Sequence, residues 1–406
     1  MRILQVHWRY DAFGGGEVYL EHLTTLLESA GHSVYLMTGA TRSDHKQLIG
    51  RNYLLIDESG GIRSGVRELT KVLQQIKRVA PDVVHFHHTG GLLSPFIVQA
   101  IQQRFPTIKT IHDVSVVCPL GDEMIKQCSG SLCHHPFNSG CIYRGCYRVT
   151  EKGIRPLLTT FWERWVTRRL DRLLVSTDYM RRELLRNDFT AQRISILPLF
   201  TTMNQDRSVA ATAQAETRLL FVGRLDRAKG GHELIDALAM IDRQLGWQAD
   251  VLGEGPVLGA LKQRIAGTVL AERIRFHGRV EANRVPGFFA RARVLLMPSM
   301  IPESFGLVGI EAMACARPVV AFDSGGISDW LVNGKTGFLV ERGNLREFAR
   351  RIEQLLVDDR MVAAMGECAV QRVERLYRPA AHLSQVVAQY RAVCAARRDS
   401  KRAQDQ

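Results

Sequence analysis

At 406 residues the chain exceeds what one hydrophobic core usually holds, so two domains are the default expectation. Hydrophobic residues make up 46% and charged residues 23%, a balance that excludes fibrous and disordered classes. No run of about 18 apolar residues occurs, and residues 1–10 enter a strand-like pattern at once, so neither a spanning helix nor a secretory leader is expected and the location reads as cytoplasmic.

In chain order, apolar runs at 3–8, 33–37, 82–86, 109–111 and 173–176 read as strands. Helical patterns such as 17–30, closed by Gly31, and 66–79 separate them. The second half repeats the scheme, with strands at 218–223, 248–252, 275–278, 293–297, 318–322 and 337–340 and a helix over 231–245. Between the halves, residues 201–216 are polar and aperiodic, as in a linker. Such alternation predicts an α/β protein with two doubly wound, Rossmann-like parallel-sheet domains, covered on both faces and binding ligand at the carboxyl ends of their strands. A helix over 379–396 follows, expected to pack back on the first domain, and then a charged tail over 397–406, expected to be disordered.

Residues 292–326 are the most informative stretch. An apolar run breaks at Pro298-Ser299, a short loop carries Glu303, and a small-residue segment from Gly306 to Ala316 holds Glu311. Free amides near Phe305, Gly306 and Leu307 would face an anion at the helix start. A carboxylate cannot serve a bare phosphate, so Glu303 beside such a site suggests hydroxyls to be gripped, as in a sugar nucleotide. Eight residues of helix rise about 12 Å and turn side chains roughly 80° apart, so Glu303 and Glu311 would hold two ends of one ligand. Taken alone, the pair reads more readily as a charged loop residue and a partly exposed helix glutamate, a preference the motifs below overturn.

Two further turns fit the same ligand. Gly14-Gly15-Gly16-Glu17 follows the first strand and enters a helix, allowing close approach of backbone amides. After the strand ending in Gly223 come Arg224 and Lys229, cations suited to a diphosphate leaving group. Gly334-Lys335-Thr336 is not a P-loop, because the required earlier glycine position is Asp329. No two aspartates are spaced D-x-D, so basic groups and amides would replace Mg²⁺ and no metal is required.

GRLDRAKGG, VLGEGP, IRFHGRV, MPSMIPESFGLVGIEAMACARPVVAFDSGG and NGKTGFLV occur in the order and spacing that resemble the donor domain of retaining GT-B glycosyltransferases of family 4. GGGE, DVVHFH and TIHD resemble the matching acceptor domain. The resemblance implies an acceptor domain over 1–200, a donor domain over 217–378, and a nucleotide-sugar substrate, UDP- or GDP-linked. It further implies Glu303 on the transferred sugar, Glu311 on the ribose, and Arg224 and Lys229 on the diphosphate. The amides of Phe305, Gly306 and Leu307 and the Gly15-Gly16 loop would assist there, with Gly223 beside the donor. Arg279 and Val280 would lie against the base, and His112 in the catalytic cleft near the sugar. Retention by front-face attack would need no protein nucleophile.

Cys118, Cys128, Cys133, Cys141 and Cys146 cluster within an insertion at 114–150, beside His134 and His135. A structural zinc and free thiols packing a loop near the acceptor are both open readings. The net charge of +13 gathers in residues 148–186 and at Arg397, Arg398, Lys401 and Arg402. Without a recognition motif for nucleic acid, an anionic membrane surface is the preferred partner, with a saccharide or lipid-linked saccharide as acceptor for surface polysaccharide or glycolipid synthesis. The alternatives are a sugar phosphorylase or epimerase on the same architecture, and a non-catalytic basic protein that binds nucleic acid.

Overall fold

A computed structural model describes residues 1–8, 15–39, 52–56, 66–89, 93–120, 132–144, 146, 155–203 and 217–404. The chain divides into two compact units, one built from the described residues of 1–121, 126–197 and 380–406, the other from those of 198–379.

The first unit holds a seven-stranded sheet in the order β3-β2-β1-β4-β5-β6-β7. Its strands are β1 (Arg2–Val6), β2 (Ser33–Gly39), β3 (Asn52–Ile56), β4 (Val83–Phe86), β5 (Thr107–Ile111), β6 (Arg172–Val175) and β7 (Ile194–Ile196), all parallel. The second unit holds a six-stranded sheet in the order β10-β9-β8-β11-β12-β13. These strands are β8 (Arg218–Val222), β9 (Gln248–Leu252), β10 (Ile274–Gly278), β11 (Val294–Met297), β12 (Val319–Phe322) and β13 (Gly337–Val340), again all parallel.

Continuous apolar runs suit strands buried on both faces. In the second unit successive side chains part into two cores. Leu219, Phe221, Val294, Leu296, Val320 and Phe322 join one, while Leu220, Leu295, Met297, Val319 and Ala321 join the other. Among the described residues, no helix is long and apolar enough to cross a membrane.

The structure adds two strands to those expected, β3 and β7. Both are sheet edges, and β7 has only three residues with a half-open burial pattern, too short to stand out as a run; β3, with the apolar residues Tyr53 to Ile56, carries a readable run that the expected strands leave out. The helix expected over 231–245 ends at Met240, because the Asp242 side chain accepts the Gln244 N–H and starts a separate short turn. The final helix runs Pro379–Gln404, further than expected. Arg397 on the stretch expected to be loose bonds to the Asp171 carboxylate and the Gln102 carbonyl, which ties the helix down. Residues 204–216 of the expected linker lie outside the described residues.

Candidate active site

In the second sheet β8 lies between β9 and β11, so the connections after β8 and β11 run to opposite sides, the position where open α/β sheets bind ligands. The two loops that follow are joined. The Ala228 carbonyl accepts from the Met300 N–H at 2.9 Å and from the Ile301 N–H at 3.2 Å. That approach requires Gly230, whose φ is +72° and whose missing Cβ would fall 1.8 Å from the Pro298 carbonyl oxygen.

The joined loops bring together residues 74 positions apart. Lys229 Nζ donates to both Glu303 carboxylate oxygens at 2.7 Å, and the Ser299 hydroxyl donates to Oε1 at 2.6 Å. Backbone bonds fix Glu303: its N–H donates to the Ser324 carbonyl at 3.3 Å, and its carbonyl accepts the Gly326 N–H at 2.7 Å. The Glu303 side chain is 9% exposed against 37% for Lys229, so the acid forms the wall and the cation reaches outward. A carboxylate this buried is costly unless paired, and Lys229 and Ser299 together pair it.

Asp226 organises the other cation. One of its oxygens pairs with Arg224 Nε, and the other accepts the Lys229 N–H at 2.9 Å. The Arg224 side chain is 64% exposed and extends into solvent. Gly223 follows β8 where the next loop passes closely; a Cβ on Gly253 would meet the Gly223 carbonyl oxygen at 1.9 Å.

Helix Leu307–Ala314 begins at Gly306, with φ +84°. Glu303 therefore lies outside the helix, held in a bridge to Gly325, and the helical arithmetic expected between Glu303 and Glu311 applies only from Leu307 onward. The N–H groups of Phe305, Gly306 and Leu307 have no protein acceptor among the described residues. Behind them the Trp330 indole N–H donates to the Phe305 carbonyl, and the Trp330 ring fills the space over Gly309. The Glu311 carboxylate has no hydrogen-bond or ion-pair partner among the described residues. Part of its surface stays open to water, yet the surrounding protein pushes its carboxyl up to about 7 through burial. Val280 packs against the core that includes Phe305 and Trp330, while the exposed Arg279 is anchored by its N–H to the Glu254 carboxylate at 3.3 Å.

On the first unit, the expected residues Gly16 and His112 lie side by side. Helix Gly15–Ser29 begins beside His112, since a Cβ on Gly16 would lie 3.8 Å from the His112 ring. His112 Nε2 and His87 Nδ1 share a hydrogen at 3.2 Å, and Tyr19 stacks edge-on at 5.5 Å. Burial, reinforced by His7, pushes His112 down to about 3, so it is neutral at neutral pH. In β4, His85 bonds the hydroxyls of Thr110 and Tyr390 at 2.8 Å each, and burial likewise drives it to about 3.

Sequence reading passed over Ser299, Asp226, Trp330 and His87. Ser299 sits four residues before Glu303 at a strand end, and Asp226 lies between the two cations, both positions visible in the loop sequences. Trp330 and His87 are reached only through tertiary contact. Cys118, Cys133, Cys141 and Cys146 are free thiols, and Cys128 lies outside the described residues. Among the described residues no three His, Cys, Asp or Glu side chains are grouped to hold a metal ion.

Two parallel-sheet α/β units of this construction define the GT-B class of glycosyltransferase fold. Sucrose-phosphate synthase from Thermosynechococcus elongatus superposes with a TM-score of 0.74 at 22% identity, covering 97% of this chain and 99% of that one. HepE of Anabaena, crystallised in complex with UDP, gives 0.73 at 18% identity over 97% and 100%. In sequence the chain is 32% identical over 390 residues to D-inositol 3-phosphate glycosyltransferase of Corynebacterium jeikeium, covering 88% of this chain and 86% of the relative. It is 26% identical over 406 residues to glycogen synthase of Mycobacterium tuberculosis, covering 92% and 90%. Residues 13–202 match Glycosyltransferase Family 4 and residues 203–372 match Glycosyl transferases group 1. The chain belongs to this family of glycosyltransferases, in keeping with the resemblance read from its motifs.

Proposed function

We propose that the protein moves a sugar from a UDP- or GDP-linked donor to a saccharide or lipid-linked saccharide, with retention at the anomeric carbon. One observation carries the reading: a buried carboxylate, Glu303, paired with Lys229 beside a helix start whose first amides are unpaired. Phosphate oxygens suit those amides and the helix dipole, and Lys229 and Arg224 stabilise the charge that grows on the diphosphate as its bond to the sugar breaks. Glu303 accepts from sugar hydroxyls and Glu311 from the ribose, while Arg279 and Val280 lie against the base. The leaving phosphate takes the acceptor's proton, so no protein nucleophile is assigned. By the family resemblance His112 is assigned to the sugar and the amides at Gly15 and Gly16 to the diphosphate; a neutral imidazole in that role hydrogen-bonds rather than supplying charge.

Residues 1–200 form the acceptor domain in this reading and 217–378 the donor domain. Attachment to an anionic membrane is supported by exposed Leu158, Phe161 and Trp162, the last in contact with exposed Phe96, in a segment that also carries Arg168, Arg169 and Arg172. The purified protein is to be incubated with sugar nucleotides labelled in the sugar, with saccharide acceptors, lipid-linked acceptors or phosphate alone. Label passing to an acceptor with its anomeric configuration kept is the expected result. Transfer to phosphate alone, or no release at all, refutes it, the first outcome favouring a phosphorylase.

A further inference from the structure

A cavity of about 440 Å³ opens on the first unit beside Met1, Asp82 and Pro106. These residues immediately precede β1, β4 and β5, so the cavity sits at the amino ends of parallel strands. Open α/β sheets place their substrates at the opposite, carboxyl ends. The transfer chemistry therefore leaves this cavity unexplained.

Its walls are strongly basic. Arg104, Arg391, Arg397 and Arg398 line it against a single carboxylate, Asp82. Arg397 has a partner in Asp171 at 3.2 Å. Arg104, Arg391 and Arg398 have no carboxylate partner among the described residues. Arg104 closes a helix, where a cation is expected on electrostatic grounds alone, and it bonds the Ala100 carbonyl. That explanation fails for Arg391 and Arg398, which lie inside helix Pro379–Gln404. With Cys394 they are spaced three and four residues apart, which turns all three to one face of the helix. Like charges gathered on a concave surface repel one another, and an anion relieves that repulsion.

We propose that this cavity binds a phosphate-bearing anion, either a soluble phosphorylated molecule or the headgroup of an anionic lipid. Guanidinium groups match phosphate oxygens two at a time. The volume falls within the usual range for small-ligand sites, roughly 300–1,000 Å³.

Cys394 reports occupancy locally. It lines the cavity, half-buried, its thiol donating to the Asp82 carbonyl at 3.3 Å. Cys368, exposed on the second unit, is an internal reference. Alkylation of each by N-ethylmaleimide is followed by peptide mass spectrometry at constant ionic strength. The probes are inorganic pyrophosphate, phosphatidylglycerol vesicles and phosphatidylcholine vesicles. A probe at about ten times its dissociation constant slows Cys394 roughly tenfold, since only the open cavity reacts, and leaves Cys368 unchanged. Cys394 lines this cavity on the first unit, whereas Lys229 belongs to the second, so the readout is local to the cavity and stands apart from the donor site. Protection by pyrophosphate assigns a soluble ligand, and protection by phosphatidylglycerol alone assigns a lipid headgroup. Arg391→Glu with Arg398→Glu removes the protection, and Arg391→Gln with Arg398→Gln serves if charge reversal disturbs folding. Protection by neither anion, or protection that survives both double variants, overturns the proposal.

Discussion

Lys229 and Glu303 form the junction on which the second unit's loops depend, and a double-mutant cycle measures it. At 2.7 Å the gross attraction is about 6 kcal/mol for an effective dielectric constant near 20. Desolvation of the acid offsets much of that. Removing one partner of a buried pair costs about 3–5 kcal/mol because a charge is stranded. Lys229 is partly exposed and Ser299 keeps its bond to the acid, so Lys229→Ala is expected at the lower end, about 2–3 kcal/mol. Glu303→Gln leaves a lysine that can turn to water, for about 1 kcal/mol. The double variant strands no charge and should resemble Glu303→Gln alone, a coupling of about 2 kcal/mol. Hydrogen exchange of peptides spanning β8 and β11 reads the opening free energy of this unit without assuming that the whole chain unfolds in one step. Costs that add to within about 0.5 kcal/mol would show that the pair is not coupled and that Glu303 is held by its backbone bridge alone.

Gly309→Ala sets two effects against each other. Alanine gains about 1 kcal/mol in helix propensity, but its Cβ would fall 2.0 Å from the Trp330 ring. Overpacking should win, for a net loss of about 1–3 kcal/mol by thermal unfolding, and a stabilised variant would contradict the packing described. For Glu311, burial raises the folded carboxyl to about 7, against an ordinary value near 4.3 when unfolded. The folded state then holds a proton that the unfolded chain has released. The group's contribution therefore becomes less favourable as pH rises through that window, reaching a few kcal/mol at most above about pH 7. Glu311→Gln should gain on the parent between about pH 4.5 and 8, and parallel stability curves for the two proteins would exclude the raised carboxyl.

Much of this was legible in the chain itself. Central strands such as β9 and β12 lie where their apolar runs place them, because a strand buried on both faces needs no distant partner to declare its pattern. The run from Pro298 to Gly326 likewise announces a strand, an acidic loop and a helix start through local chemistry alone. Edge strand β7 escaped because three residues with a half-open pattern lack that continuous signal. Glu303 was legible as a candidate, but its pairing with Lys229 was not. That contact depends on two loops approaching closely enough that only glycine fits at position 230. Trp330 beneath Gly309, and His87 against His112, are set by chain crossings that no spacing encodes. The sequence by itself determined the class, the alternation and the kinds of side chain offered to a ligand. Tertiary structure decided which of them touch, because burial and hydrogen bonding between strand-end loops are properties of distance in space, not distance along the chain.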